Sequence, residues 1–125
     1  MSDDKLVRDV MSKALISVDP ATTIFQVAKM MEQGIGAVLV KKDGAPAGII
    51  TDRDYAIKVA VNNIAMDTPV EQVASFPLIT INGDESLKDA ASQMSTKKIR
   101  KLAVVDDGNV IGIITSTDLV TQMSR

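Results

Sequence analysis

GIITDRD (48–54) returns as GIITSTD (112–118). The Gly, both Ile, the Thr and the final Asp hold their places, while the two residues before that Asp change. Gly in a strand interior weakens the strand unless another chain segment or a ligand comes close. Thr followed three residues later by Asp has the spacing of a helix capping box. The stretch therefore reads as a strand, a corner and the first turn of a helix. Its recurrence makes the chain a duplication, and a repeat governs the fold more than any single element does.

Working outward, residues 10–33 align with 73–96, and 35–55 align with 99–119 after one inserted residue. Identities include Val10/Val73, Ser12/Ser75, Leu15/Leu78, Ala28/Ala91, Met31/Met94, Asp43/Asp107 and Gly44/Gly108. In each copy a short β-rich run opens, LISV (15–18) or LITI (78–81). A helix start follows, with Thr23 and Gln26, or Ser86 and Asp89, at capping-box spacing. Ile24, Val27, Ala28 and Met31, and Leu87, Ala90, Ala91 and Met94, recur as one apolar helix face. Two strands come next, AVLVK (37–41) with AGIIT (47–51), then LAVVD (102–106) with VIGIIT (110–115). They are joined through Asp43-Gly44 and Asp107-Gly108, a strong hairpin signal because a tight turn needs positive φ. The helices DRDYAIKVAV (52–61) and STDLVTQM (116–123) close the copies.

The pattern predicts an α+β fold of two β-α-β-β-α repeats. One repeat has a sheet face to bury, so the pair is expected to pack about a pseudo-two-fold axis. The first repeat with its N-terminal helix is placed at 1–61, and the linker with the second repeat at 62–125. Segment 4–12 is expected to pack as a short helix onto the second copy.

Composition narrows the function. The 125 residues are 46% hydrophobic and 24% charged, enough for a core in a soluble chain. There is no His, Cys or Trp, and only Phe25, Phe76 and Tyr55 are aromatic. The commonest general base near neutral pH and the usual metal ligands are therefore missing. No nucleophile–base pair is visible, so neither catalytic nor metal-binding residues are expected and the chain does not read as an enzyme. A formal net charge of −2 and so few aromatics argue against a nucleic-acid platform. No apolar run approaches a membrane span, and MSDDKLVRDV lacks a signal core, which predicts a cytoplasmic protein without a membrane partner.

The whole chain, about 4–124, resembles a stand-alone tandem CBS-domain pair, or Bateman module. The likeness rests on VRDVM (7–11), LISVDPATTIFQVAKMM (15–31), the Asp-Gly hairpins and both G-h-h-T-x-x-D endings, where h is hydrophobic. The second copy departs from the family's D-V-M opening with Gln72-Val73-Ala74. The resemblance implies a regulatory, energy-sensing module that binds AMP, ADP, ATP or S-adenosylmethionine as a regulatory ligand, with no catalytic cofactor. It implies a homodimer of such pairs and a separate effector protein. It also implies shared sites, each with ribose and phosphate on one copy's T-x-x-D and adenine on the other copy. Site one would use Ile49, Thr51 and Asp54, with Asn82, Ile99, Arg100 and Lys101. Site two would use Ile113, Thr115 and Asp118, with Asp19, Ile35, Gly36 and Ala37.

The copies differ in charge. Arg53 lies inside the first motif, where the second has Thr117; KKIRK (97–101) stands where the first copy has GIGA (34–37). Arg suits phosphate through its fork of donors, and Arg100, near the centre of the module, could serve either corner; Gly36 leaves room on the adenine side of site two, which favours that site for a nucleotide. KKIRK also reads as a solvated strand edge. Two alternatives remain: a ligand-free dimerisation module whose T-x-x-D motifs only cap helices, and a weak nucleic-acid binder using the 97–101 stripe.

Overall fold

The computed structural model describes residues 5–123. Residue 4 of the expected segment 4–12 and residues 124–125 of the second copy lie outside that range. In chain order the elements are α1 (Val7–Val10), β1 (Ser17–Val18), α2 (Ile24–Glu32), β2 (Ala37–Lys42), β3 (Ala45–Thr51) and α3 (Asp52–Asp54). A π-helical stretch, Tyr55–Ala60, continues α3, and a 3-10 turn spans Val70–Gln72. Then come β4 (Thr80–Asn82), α4 (Leu87–Lys97), β5 (Lys101–Asp106), β6 (Asn109–Thr115) and α5 (Ser116–Met123). The α+β class and the twofold use of β-α-β-β-α follow the sequence pattern.

Two three-stranded sheets form, ordered β1-β2-β3 and β4-β5-β6. The first strand of each runs parallel to the second, and the second and third form an antiparallel hairpin. Asp43 and Gly44 have φ of 54° and 82°, and Asp107 and Gly108 have 50° and 79°. Positive φ at both central residues fits the twist of a two-residue hairpin. The register shifts between Val40 and Lys41 in one hairpin and between Val104 and Val105 in the other. The duplication thus extends to the irregularities.

The segment preceding each repeat closes a sheet edge of the other. Ser75 exchanges both backbone hydrogen bonds with Ile49 of β3, at 2.8 and 3.0 Å. Ser12 does the same with Ile113 of β6, at 2.8 and 3.0 Å. Segment 5–12 therefore lies on the second repeat, as expected: the Arg8 N–H also donates to the Gly83 carbonyl and the Val7 N–H to the Glu85 carbonyl. The compact units consequently differ from the division of the sequence at 61/62. One comprises Ile16–Leu78, and the other joins the described residues of 1–15 to those of 79–125. An edge strand leaves unpaired N–H and C=O groups, and these segments satisfy part of that row.

The two strand-interior glycines follow from the same edge pairing. A Cβ at Gly48 would come within 2.5–2.8 Å of carbons of the Phe76 ring. A Cβ at Gly112 would run into the Met11 sulfur and lie 2.8 Å from the Ser12 carbonyl oxygen. Both glycines admit a neighbouring segment of the same unit.

Each unit has its own core. In the first, Val18, Ile24, Val27, Val38, Val40, Ile50, Val59, Val70 and Val73 are buried together. In the second, Val7, Ile81, Ala90, Met94, Leu102, Val104, Ile114 and Leu119 are. Full burial of such a side chain stabilises by about 1.5–3 kcal/mol. Ala91, expected on the apolar face of α4, is exposed; it lies at the rim of the stripe that Ala90 and Met94 centre. The expected helix 52–61 is α-helical for only one turn. From there Val61 N–H donates to the Ala56 carbonyl at 3.2 Å and Ile64 N–H to the Val59 carbonyl at 3.0 Å, both five residues back. An apolar period read over ten residues does not separate such widened turns from α-helix. The Tyr55 hydroxyl donates to the Ile24 carbonyl at 3.0 Å, and the Lys58 ammonium to Ser75 Oγ at 2.8 Å. These contacts tie the widened helix to α2 and to the edge segment.

Substitution of either glycine by Ala tests this edge packing. Gly112→Ala pushes on a backbone carbonyl and is expected to destabilise by about 1–3 kcal/mol, the usual range for overpacking. Gly48→Ala meets an exposed aromatic side chain that can swing aside, and is expected to cost less. Urea unfolding of both variants checks the order; equal costs, or the reverse, would contradict the packing described.

Candidate functional site

Each repeat turns from its last strand into its last helix through Thr and Asp. At the first corner the Thr51 N–H donates to Asp54 Oδ2 at 3.0 Å, and the Asp54 N–H donates to Thr51 Oγ1 at 3.0 Å. At the second the Thr115 N–H donates to Asp118 Oδ2 at 2.9 Å, and the Asp118 N–H to Thr115 Oγ1 at 3.2 Å. Both are reciprocal capping boxes. Extended φ and ψ of −109° and 166° at Thr51 aim its hydroxyl back over the first helical turn.

Capping uses only part of each group. Oδ1 of Asp54 and of Asp118 accepts no hydrogen bond from any described residue. Each Thr oxygen accepts an N–H, but its hydroxyl proton has no acceptor among the described residues. All four side chains are half-buried. A fixed carboxylate oxygen beside a hydroxyl donor can accept from a diol and donate to an anion.

The strand beside each corner belongs to the same repeat. Ala37 pairs with Thr51, and the Gly36 carbonyl accepts the Asp52 N–H at 3.1 Å. Lys101 pairs with Thr115, and the Arg100 carbonyl accepts the Ser116 N–H at 2.9 Å. Residues 36–37 and 100–101 therefore lie directly against the corners of their own units. Ile35 and Ile99 pack partly against their own cores, which limits the surface they offer elsewhere.

Asp19 and Asn82 lie elsewhere in their units. Val18 pairs with Val40, so Asp19 follows towards Lys41, and its Oδ1 is 4.0 Å from the Lys41 ammonium. That is about 13 Å along β2 from Ala37, at ~3.3 Å per residue. Asn82 pairs with Val105, and its Oδ1 accepts the Asp84 N–H at 3.1 Å. The structure thus groups Gly36, Ala37, Thr51, Arg53 and Asp54 in one unit, and Arg100, Lys101, Thr115 and Asp118 in the other. Asp19 and Asn82 stand at the hairpin ends of the sheets. Ile49 and Ile113 have both backbone groups engaged by Ser75 and Ser12, so only their half-buried side chains are available.

Sequence reading missed Asp52. Its Oδ1 accepts the Arg53 N–H at 2.8 Å, occupying a first-turn donor of the corner. The matching residue is Ser116, and the Thr117 N–H has no hydrogen bond to any described residue. Comparing the two residues after each Thr, rather than Arg53 with Thr117 alone, would have exposed the difference. Of the basic run, Lys97 ends α4 and Lys98 caps it at φ 56°, so only Lys101, which begins β5, lies on a strand as the sequence suggested. Lys98 takes the left-handed position that Gly34 fills in the first repeat, with φ 97°.

A family model described as the CBS domain matches residues 7–60 and again 64–125. The CBS domain-containing protein YhcV of Bacillus subtilis is 38% identical over 121 residues, covering 95% of this chain and 86% of that protein. A solved uncharacterized conserved protein from Pyrococcus horikoshii superposes with TM-score 0.91 at 29% identity, covering 100% of this chain and 96% of the other. The CBS domain pair of protein MJ0100, in complex with 5′-methylthioadenosine and S-adenosyl-L-methionine, gives TM-score 0.82 at 31% identity, with 96% of each chain covered. Other relatives are longer. The likeness covers 98% of this chain but 25% of a homoserine O-acetyltransferase from Methanosphaerula palustris, so the acetyltransferase activity does not carry over. No helix among the described residues is long and apolar enough to cross a membrane.

Removing a capping hydroxyl should register in stability. Thr51→Ala and Thr115→Ala are each expected to destabilise by about 1 kcal/mol, whereas Thr→Ser at the same positions keeps the acceptor and most of that stability. Chemical denaturation of the four variants checks this; Ser and Ala variants of equal stability would remove the capping role.

Proposed function

This chain belongs to the CBS domain family as a tandem pair, a regulatory module, and we propose that its two corners sense adenosine-containing small molecules. The observation that carries the reading is the half-used carboxylate: Asp54 and Asp118 are held by capping through Oδ2 while Oδ1 stays available. A carboxylate so fixed can accept both hydroxyls of a ribose, as the acidic residue of dinucleotide sites does. The neighbouring Thr hydroxyl and, at the Thr115 corner, the Thr117 amide suit the phosphate side. The solved pair of 31% identity that holds 5′-methylthioadenosine and S-adenosyl-L-methionine supports the adenosine class. AMP, ADP and ATP belong to the same proposal, as do Asp19, Ile35, Gly36, Ala37, Asn82, Ile99, Arg100 and Lys101 as residues holding base or phosphate.

Signalling then requires that the ligand bind two shapes of the module unequally, because equal affinity shifts nothing. A homodimer of pairs and a separate effector complete the proposal. A second reading, a ligand-free scaffold, draws on the fact that both carboxylates already cap. A nucleic-acid role for 97–101 rests on one basic stripe and would show strong salt dependence.

Thermal unfolding with AMP, ADP, ATP, S-adenosylmethionine and NADH tests the reading. A ligand at ~100 times its dissociation constant should add about 2.7 kcal/mol. Asp118→Asn keeps an oxygen to cap Thr115 but loses the anionic acceptor. It should lose much of the ligand response while unfolding near the parent temperature without ligand. No response to any adenosine compound would leave the scaffold reading standing.

A further inference from the structure

Resting on the adenosine reading above, we infer that the two corners select ligands by charge: the Thr115 corner takes a phosphate-bearing adenosine compound, and the Thr51 corner takes one without phosphate. Phosphate at a helix start needs unoccupied N–H groups and a positive surround. The Thr51 corner supplies neither. Its Asp52 N–H is given to the Gly36 carbonyl, its Arg53 N–H to Asp52 Oδ1 at 2.8 Å, and its Asp54 N–H to Thr51 Oγ1. The Asp52 carboxylate takes the amide that a phosphate oxygen would otherwise take.

The Thr115 corner differs at one amide: its Ser116 N–H is likewise given to the Arg100 carbonyl at 2.9 Å and its Asp118 N–H to Thr115 Oγ1 at 3.2 Å, but no carboxylate takes the Thr117 N–H. Ser116 stands where Asp52 would, and the exposed Thr117 keeps its N–H without a partner among the described residues. Eight α-helical residues, Ser116–Met123, stand behind it. Charge agrees with the donors. Arg100 and Lys101 adjoin Thr115 and Ser116 through backbone pairing, opposite the single carboxylate of Asp118. The first corner has Asp52 and Asp54 around Arg53, next to the uncharged Gly36 and Ala37. Arg53 is exposed and balances only one of those two carboxylates. Ribose recognition needs the Thr and Asp common to both corners; phosphate recognition needs what only the second has. Asp52 and Ser116 are thereby specificity-determining positions.

Isothermal titration with adenosine and with AMP tests this on the parent chain, on Asp52→Ser, on Ser116→Asp and on the double exchange. The parent should bind adenosine at two sites but AMP tightly at one. Asp52→Ser should tighten AMP at the other corner by roughly tenfold, the scale of one charge-assisted hydrogen bond. Ser116→Asp should weaken AMP by about as much while leaving adenosine unchanged. The double exchange should return a single tight AMP site, which guards against one misfolded single variant, and unfolding without ligand reports the fold directly. If adenosine binds but all four proteins share one AMP-to-adenosine preference, the charge selection fails and the adenosine reading survives. If neither compound binds any of them, the adenosine reading fails and this inference falls with it.

Discussion

Two hydrogen bonds exchanged between a Thr and the Asp three residues on set each corner of the structure. They satisfy two amides that the start of a helix leaves open, and they hold a carboxylate at a fixed angle to the strand. The arrangement is worth only about 1 kcal/mol as a cap. Its larger consequence is geometric. One oxygen anchors, and the other is presented in a defined direction beside a hydroxyl. Structure and proposed function therefore share the group, and the capping contact is what orients the part left over.

The glycine that opens each motif is explained by packing. Gly48 and Gly112 admit the Phe76 side chain and the Met11–Ser12 segment, each of which closes an edge strand. That pairing crosses the sequence repeats: the leader of each repeat completes the sheet of the other. The units in space are thus interleaved along the chain, and a cut at 61/62 would strip each sheet of its edge segment. Lys58 extends the link, because its ammonium joins the helix after the first corner to Ser75 on that edge. The copy-two counterpart, Gln122, instead accepts from Lys5 at 2.9 Å.

Much of this was legible in the sequence because it rests on local chemistry. Asp-Gly between apolar runs fixed both hairpins, and Thr23/Gln26, Ser86/Asp89 and the two T-x-x-D pairs named four capping boxes that all form. What escaped depends on partners distant in sequence or on backbone widths that leave no periodic trace. The π-helical turns of 55–60 follow an apolar spacing that an α-helix would also show. The units' true composition depends on which edge Ser12 and Ser75 pair with, and no motif encodes that choice. Asp52 was passed over because an acidic residue in a first turn is ordinary; only the occupied Arg53 amide gives it meaning. Asp19 and Asn82 came from the resemblance, each set opposite the other copy's corner, and no local motif marks them.

The account turns on the corners as the place where ligand meets protein, and amide NMR reads that place directly. In a titration with AMP, the Thr115, Thr117 and Asp118 N–H resonances should move furthest, with the Thr117 amide shifting in the sense of a new hydrogen bond, while the Arg53 amide stays near its free position. Resonances that change elsewhere while the Thr51–Asp54 and Thr115–Asp118 amides remain still would contradict it.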